Sequence, residues 1–158
     1  MNRVLLTNAT FISTISAIST ILLTNAGFAD TESLILKVNL HNRTNYTCKT
    51  SSPNLRHGFW NMRPPKSIQA HTTDYWMVQQ SHFYGPDVAV TLKCGDYSFS
   101  VRNRQTFSFV GGNQYCSTYG VDKHLKVTNK QIQHAKYRHI PGIADISVSL
   151  NGSHLELE

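Results

Sequence analysis

No HExxH, no GxSxG and no CxxC or HxxH pair occurs in this sequence. Their absence removes the zinc-protease helix, the nucleophile elbow of α/β-hydrolases and closely spaced zinc ligands from consideration. Acidic residues are scarce, nine against fifteen lysines and arginines. Those in the middle of the chain, Asp74, Asp87, Asp96, Asp122 and Asp145, stand far apart, so nothing suggests the paired carboxylates of a glycosidase. The basic residues are scattered too. With no arginine-lysine run, nucleic acid is not an expected partner. Neither a cofactor nor a metal is expected, and no catalytic residue is assigned.

Long apolar runs are also missing, except near the start. Arg3 supplies a short positive region and residues 11–23 (FISTISAISTILL) an apolar one diluted by serine and threonine. Gly27-Phe28-Ala29 follows with small residues at both positions that a signal peptidase reads. The apolar core falls short of the roughly 20 residues a bilayer span needs. We therefore expect residues 1–29 to be a cleaved signal and residues 30–158 to form one exported domain, either secreted or retained in a periplasm. The 129 residues left of 158 suit a single core. Their net charge of about +5 with neutral histidines favours an anionic partner.

Cysteines are only three, Cys48, Cys94 and Cys116. In an exported chain the simplest reading is one disulfide and one thiol, with three pairings open. Asn42, Asn45 and Asn151 each begin an N-x-Ser/Thr triplet, as does Asn8 within the signal.

What the chain has in quantity is short alternating segments. Residues 34–40 (LILKVNL), 74–80 (DYWMVQQ), 87–92 (DVAVTL), 97–101 (YSFSV), 106–110 (TFSFV) and 145–150 (DISVSL) read as strands. Residues 46–50 read as a further strand and residues 67–70 as a short one. Cys94-Gly95-Asp96 marks the clearest hairpin, and Asn151-Gly152 a last one into residues 153–158. Ser51-Ser52-Pro53-Asn54 reads as a loop and Arg102-Asn103-Arg104 as a turn. Residues 121–139 lack a clean period, and one short helix is expected near 130–137. Many short strands with turns between them imply an all-β fold, which we expect to be a single antiparallel β-sandwich.

The chain is centred on residues 55–84. This stretch holds both tryptophans, the Pro64-Pro65 pair, and the basic residues Arg56, Arg63 and Lys66. Tryptophan and tyrosine have an apolar body and a polar tip, which suits a membrane interface or the face of a sugar. Trp76, inside an alternating strand, is more easily read as core; Trp60 and Tyr84, beside proline or glycine, as surface. His57, His71 and His82 lie among the aromatics and leave open a histidine-based hydrolase.

The order of several short motifs resembles a known group. Asn42-Arg43-Thr44-Asn45-Tyr46-Thr47 follows the first strand, then His57-Gly58-x-Trp60, Pro64-Pro65-x-x-Ile68, Trp76 and Asp87-Val88-Ala89-Val90. Tyr97-Ser98-Phe99-Ser100-Val101 and Gly112-Asn113-Gln114-Tyr115 complete it. Over residues 36–119 this resembles the small secreted β-sandwich proteins grouped with actinoporins and aegerolysins. The resemblance implies a sandwich with an aromatic lipid or glycan site, to which Trp60, Arg63, Trp76, Tyr84, Tyr115 and Tyr119 would contribute. The chain departs from the pattern in two places. A strand begins about five residues after the expected cleavage, where an actinoporin pore would need an amphipathic helix, and Phe109-Val110-Gly111-Gly112 replaces a Pro-Tyr loop. Binding of a membrane-lipid or glycan surface without pore formation is the expected function. The alternatives are the secreted hydrolase and an effector that binds a host protein.

Overall fold

A computed structural model describes residues 33–81, 84–106, 113–135 and 140–152. Among these residues ten strands make two five-stranded sheets. Sheet A has the order β3 (Phe59–Met62), β5 (Thr73–Gln79), β1 (Ile35–Asn42), β10 (Gly142–Leu150) and β9 (Leu125–Gln133). Sheet B has the order β4 (Ser67–Ile68), β2 (Cys48–His57), β6 (Asp87–Cys94), β7 (Tyr97–Gln105) and β8 (Gln114–Tyr119). The expected β-sandwich is the observed fold. All pairings are antiparallel except that of β1 with β10, which run parallel in the centre of sheet A.

Alternation builds the core. Leu36, Val38 and Leu40 of β1 point inward, as do Trp76 and Val78 of β5 and Ala144, Ile146 and Val148 of β10; all are fully buried. They meet Val88, Val90, Leu92, Phe99 and Val101 of sheet B. Cys48 and Cys94 lie opposite each other on β2 and β6 and form the disulfide, leaving Cys116 as the thiol. Asn42, at the inner end of β1, is buried but fully used. Its Nδ2 donates to the carbonyls of Tyr46 (2.8 Å), Gln69 (2.9 Å) and Ile68 (3.2 Å). Its Oδ1 accepts from Thr44 N (3.1 Å) and Thr44 Oγ1 (2.8 Å). The Asn42 triplet is therefore a turn lock and not an exposed glycan acceptor.

Several boundaries differ from expectation. Residues 51–54 are not a loop but the middle of β2, with Pro53 opposite Val90. Only Cys48 and Lys49 pair with β4, so beyond Thr50 the strand has a neighbour on one side, the setting in which proline is tolerated. Residues 102–104 are not a turn; β7 runs through them to Gln105 and pairs with β8. The short helix expected near 130–137 is corrected over its first part, where residues 130–133 belong to β9 and pair with β10. Its later residues 136–139 lie outside the described residues, as do residues 107–110 of the strand expected at 106–110 and residues 153–158 of the last hairpin.

Gly58 joins β2 to β3 at φ +111°, a region that L side chains avoid. A Cβ there would sit 2.5 Å from the Gln79 carbonyl oxygen and 2.9 Å from Val78 Cγ1. Gly58→Ala is therefore expected to cost about 2 kcal/mol through backbone strain and clash with β5. A lowered urea midpoint at unchanged slope would show it; an unchanged midpoint would mean that β3 shifts freely.

Candidate functional site

The outer face of sheet B carries the site. On β7 the inward positions are Phe99, Val101, Asn103 and Gln105, so Arg102 and Arg104 project outward. Tyr115, Ser117 and Tyr119 project from β8, with Tyr115 opposite Arg104, Ser117 opposite Arg102 and Tyr119 opposite Ser100. On the other side Asp87 lies opposite Arg104, and His57 of β2 opposite Asp87. One row thus crosses four strands as His57, Asp87, Arg104, Tyr115. His57 in turn stacks on Tyr84, with ring centres 5.0 Å apart and planes 16° from parallel.

The two arginines have different surroundings. Arg102 forks onto Asp87, with Nε to Oδ1 at 2.9 Å and Nη2 to Oδ2 at 2.6 Å. Asp87 is buried and Arg102 is partly covered, so this charge-assisted pair is a fixed part of the sheet face. The bond to Asp87 holds the Arg102 guanidinium above its ordinary pKa, against the opposing effect of burial. The Arg104 side chain is exposed and its guanidinium makes no hydrogen bond or ion pair among the described residues. The two guanidiniums, Tyr115 and Ser117 line a cavity of about 180 Å³. With one carboxylate beside two guanidiniums the site is electropositive. Tyr84, Tyr115 and Tyr119 expose about half of their surface or more around it (63%, 56% and 48%).

Behind this face the interior turns polar. Asn103, Gln105 and Gln114 are buried, and amide atoms of all three have no hydrogen-bond partner among the described residues. Asn129 of β9 closes the flank by donating Nδ2 to the Ser117 carbonyl at 3.0 Å and to the Arg102 carbonyl at 3.5 Å. Cys116 points into this corner, half-covered, and burial pushes its thiol pKa up.

The five rings expected at one site, Trp60, Trp76, Tyr84, Tyr115 and Tyr119, and the Arg63 expected beside them do not come together. Tyr84, Tyr115 and Tyr119 share the outer face of sheet B. Trp76 belongs elsewhere: it is fully buried and cannot touch a surface ligand, which corrects its place among the binding residues. Trp60 sits on β3 and packs partly against the core, and exposed Arg63 follows that strand. Both lie in or beside sheet A. Sequence reasoning missed Arg102, Arg104, Ser117 and Asp87. The signal was present in the alternation of Tyr97, Phe99 and Val101, which, carried four residues further, sends 102 and 104 outward.

The histidines singled out for hydrolysis have other partners. His57 stacks on Tyr84, His71 bonds Asn45 Oδ1 through Nε2 at 2.8 Å, and His82 lies outside the described residues. His41, not singled out, has Thr73 Oγ1 at 2.9 Å from Nδ1 and Asp145 Oδ2 at 3.6 Å from Nε2. The latter exceeds hydrogen-bond length, and Asn39 already occupies the other Asp145 oxygen at 2.7 Å. This falls short of a poised hydroxyl-imidazole-carboxylate relay.

No family model and no curated protein matches the chain. Solved structures share its fold. IP-1A from Alcaligenes faecalis aligns with a TM-score of 0.55 at 12% identity, covering 76% of this chain and 93% of that one. Nakanori, described as a lipid binding protein, gives 0.52 at 9% identity over 75% and 71% of the two chains. RahU, solved in complex with a TRIS molecule, gives 0.51 at 12% over 76% and 96%. The likeness is one of architecture, and it agrees with the sandwich implied by the sequence resemblance.

Proposed function

We propose that this chain is an exported module that binds a lipid surface through the arginine-tyrosine face of sheet B. The Arg104 guanidinium, without a partner among the described residues and beside a cavity ringed by exposed tyrosines, is the observation that carries the reading. Tyrosine rings partition into the interface between lipid and water, while a guanidinium meets headgroup phosphate. Two further points support it. A protein of the same fold, Nakanori, is described as lipid binding. The disulfide also fits an oxidising compartment, in keeping with a signal over residues 1–29. Binding is read as non-lytic.

The test is sedimentation with vesicles of phosphatidylcholine, with and without phosphatidylserine, at low and high salt. Wild type is expected to bind the anionic vesicles more tightly, and less so at high salt. Arg104→Ala should weaken that binding about fivefold, on the order of 1 kcal/mol for one basic residue near an anionic surface. A folded wild type that binds neither vesicle, or an Arg104→Ala variant that binds unchanged, would overturn the reading.

A further inference from the structure

At the opposite end of the sandwich lies a second aromatic cluster. Tyr97 opens β7, seven residues before Arg104 and so roughly 23 Å away along the strand. Its ring meets Tyr46 edge-on, with centres 6.1 Å apart, and His124 at 5.0 Å with planes tilted by 37°. Asp122 stands beside them. Its Oδ1 accepts from the His124 backbone N–H and contacts His124 Nδ1, both at 2.9 Å. Those bonds hold the Asp122 carboxyl below its ordinary pKa.

Each ring is fixed by its backbone. Tyr97 packs partly against the core and faces Cys94, half of the disulfide. Tyr46 lies on Gly95, where an added Cβ would come within 3.0 Å of its ring, and its carbonyl is held by Asn42 Nδ2 and Thr44 Oγ1. Gly95 is the first of two turn residues, at φ +60°, so the hairpin and the ring require the same glycine. The segment carrying Asp122 and His124 is tied down by Asn151, whose N–H bonds the His124 carbonyl at 2.7 Å and whose Nδ2 bonds that of Lys123 at 2.8 Å. Asp122 N donates to the Ser98 carbonyl at 3.0 Å.

The cluster is nevertheless open to solvent. Tyr46 and His124 are exposed, and Asp122 is partly so. Asp122 Oδ2, His124 Nε2 and the hydroxyls of Tyr46 and Tyr97 make no hydrogen bond among the described residues. Rigid rings edged by a few unused, well-held polar groups suit a shallow site in which a ligand stacks on a ring and bonds to its rim. Charge narrows the ligand. Asp122 has Lys123 beside it in sequence, and Asp96 has Lys93 at 3.8 Å, so neither a cation nor an anion has an uncompensated partner. The groups fit a neutral molecule with an apolar C–H face and several hydroxyls.

We infer that the Tyr46-Tyr97-His124-Asp122 cluster is a binding site for a neutral sugar residue, separate from the lipid-facing site. A pyranose stacks its C–H face on an exposed ring, while its hydroxyls donate to Asp122 Oδ2 and exchange hydrogen bonds with His124 Nε2 and the phenols. The site recognises a terminal or internal hexose of an uncharged glycan.

The probe is a panel of immobilised neutral oligosaccharides built from glucose, galactose, mannose and N-acetylglucosamine. Wild type is expected to bind at least one. Tyr46→Leu and Asp122→Ala should each weaken that binding about tenfold, with vesicle sedimentation unchanged. Arg104→Ala should do the reverse. Because Tyr46 packs on the hairpin, folding of each variant is checked by near-UV circular dichroism, and Asp122→Ala, at a partly exposed position, remains decisive if Tyr46→Leu unfolds. Two results overturn the inference: a folded wild type that binds no member of the panel, or binding that persists equally in Asp122→Ala. Either would leave the rings as a hairpin cap only.

Discussion

Trp76→Ala should lower the unfolding free energy by about 3–5 kcal/mol, the range for emptying a large buried aromatic site. The ring is fully buried on the inner face of sheet A, on a strand flanked by β1 and β3, with Val38 directly opposite. Removing it leaves a cavity lined by both sheets that rigid strands cannot close. Trp76→Phe should cost clearly less. It keeps most of the apolar volume and removes an indole N–H that has no hydrogen-bond partner among the described residues. Urea unfolding of the three proteins decides. Equal stability of Trp76→Ala and wild type would show that the ring is not core, and would return it to the surface role implied by the sequence resemblance.

That residue shows how far the sequence could be read. The alternation of β5 placed Trp76 with Val78 on a single face, and only the resemblance offered it as a ligand contact. Strands with apolar inward positions were legible throughout: β1, β5, β6, the first half of β7 and β10 all lie where alternation places them. Legibility failed where the inward positions turn polar. Asn103 and Gln105 continue the inner face of β7, Gln114 and Cys116 that of β8, and Asn129 and Gln131 lie on β9. A strand whose buried side is amide looks like a loop in sequence. The candidate site stands on the outer face of those same strands, so Arg102 and Arg104 were hidden by the polarity of their inward neighbours. The partners that define the two sites are also distant in sequence, such as Arg102 with Asp87 and Tyr46 with Tyr97, and no local pattern encodes them.

Replacing the disulfide, as Cys48→Ser with Cys94→Ser, should cost roughly 2–4 kcal/mol. The bond closes a loop across a sequence separation of 46 residues, which in the chain-entropy account restricts the unfolded ensemble by about 4 kcal/mol. Two polar hydroxyls left at fully buried positions add to the loss. Wild type in a thiol reductant should show the same direction of change without the added hydroxyls. Calorimetry in oxidising and reducing buffer tests this. An unfolding temperature unaffected by reductant would mean either that the bond does not form or that it contributes no stability.

The parallel pairing of β1 with β10 governs the order in which the molecule can assemble. Asn39 and Asp145, bonded side by side in the middle of sheet A, are separated by 106 residues of chain. The two strands cannot meet until nearly the whole domain is available, whereas β6 and β7 need only a two-residue turn. Local hairpins of sheet B can form while the centre of sheet A must wait, and such non-local closure is slow. A chain emerging from its N-terminus during synthesis would therefore hold its first strand unpaired on one side. Completion of the domain is tied to arrival of β10.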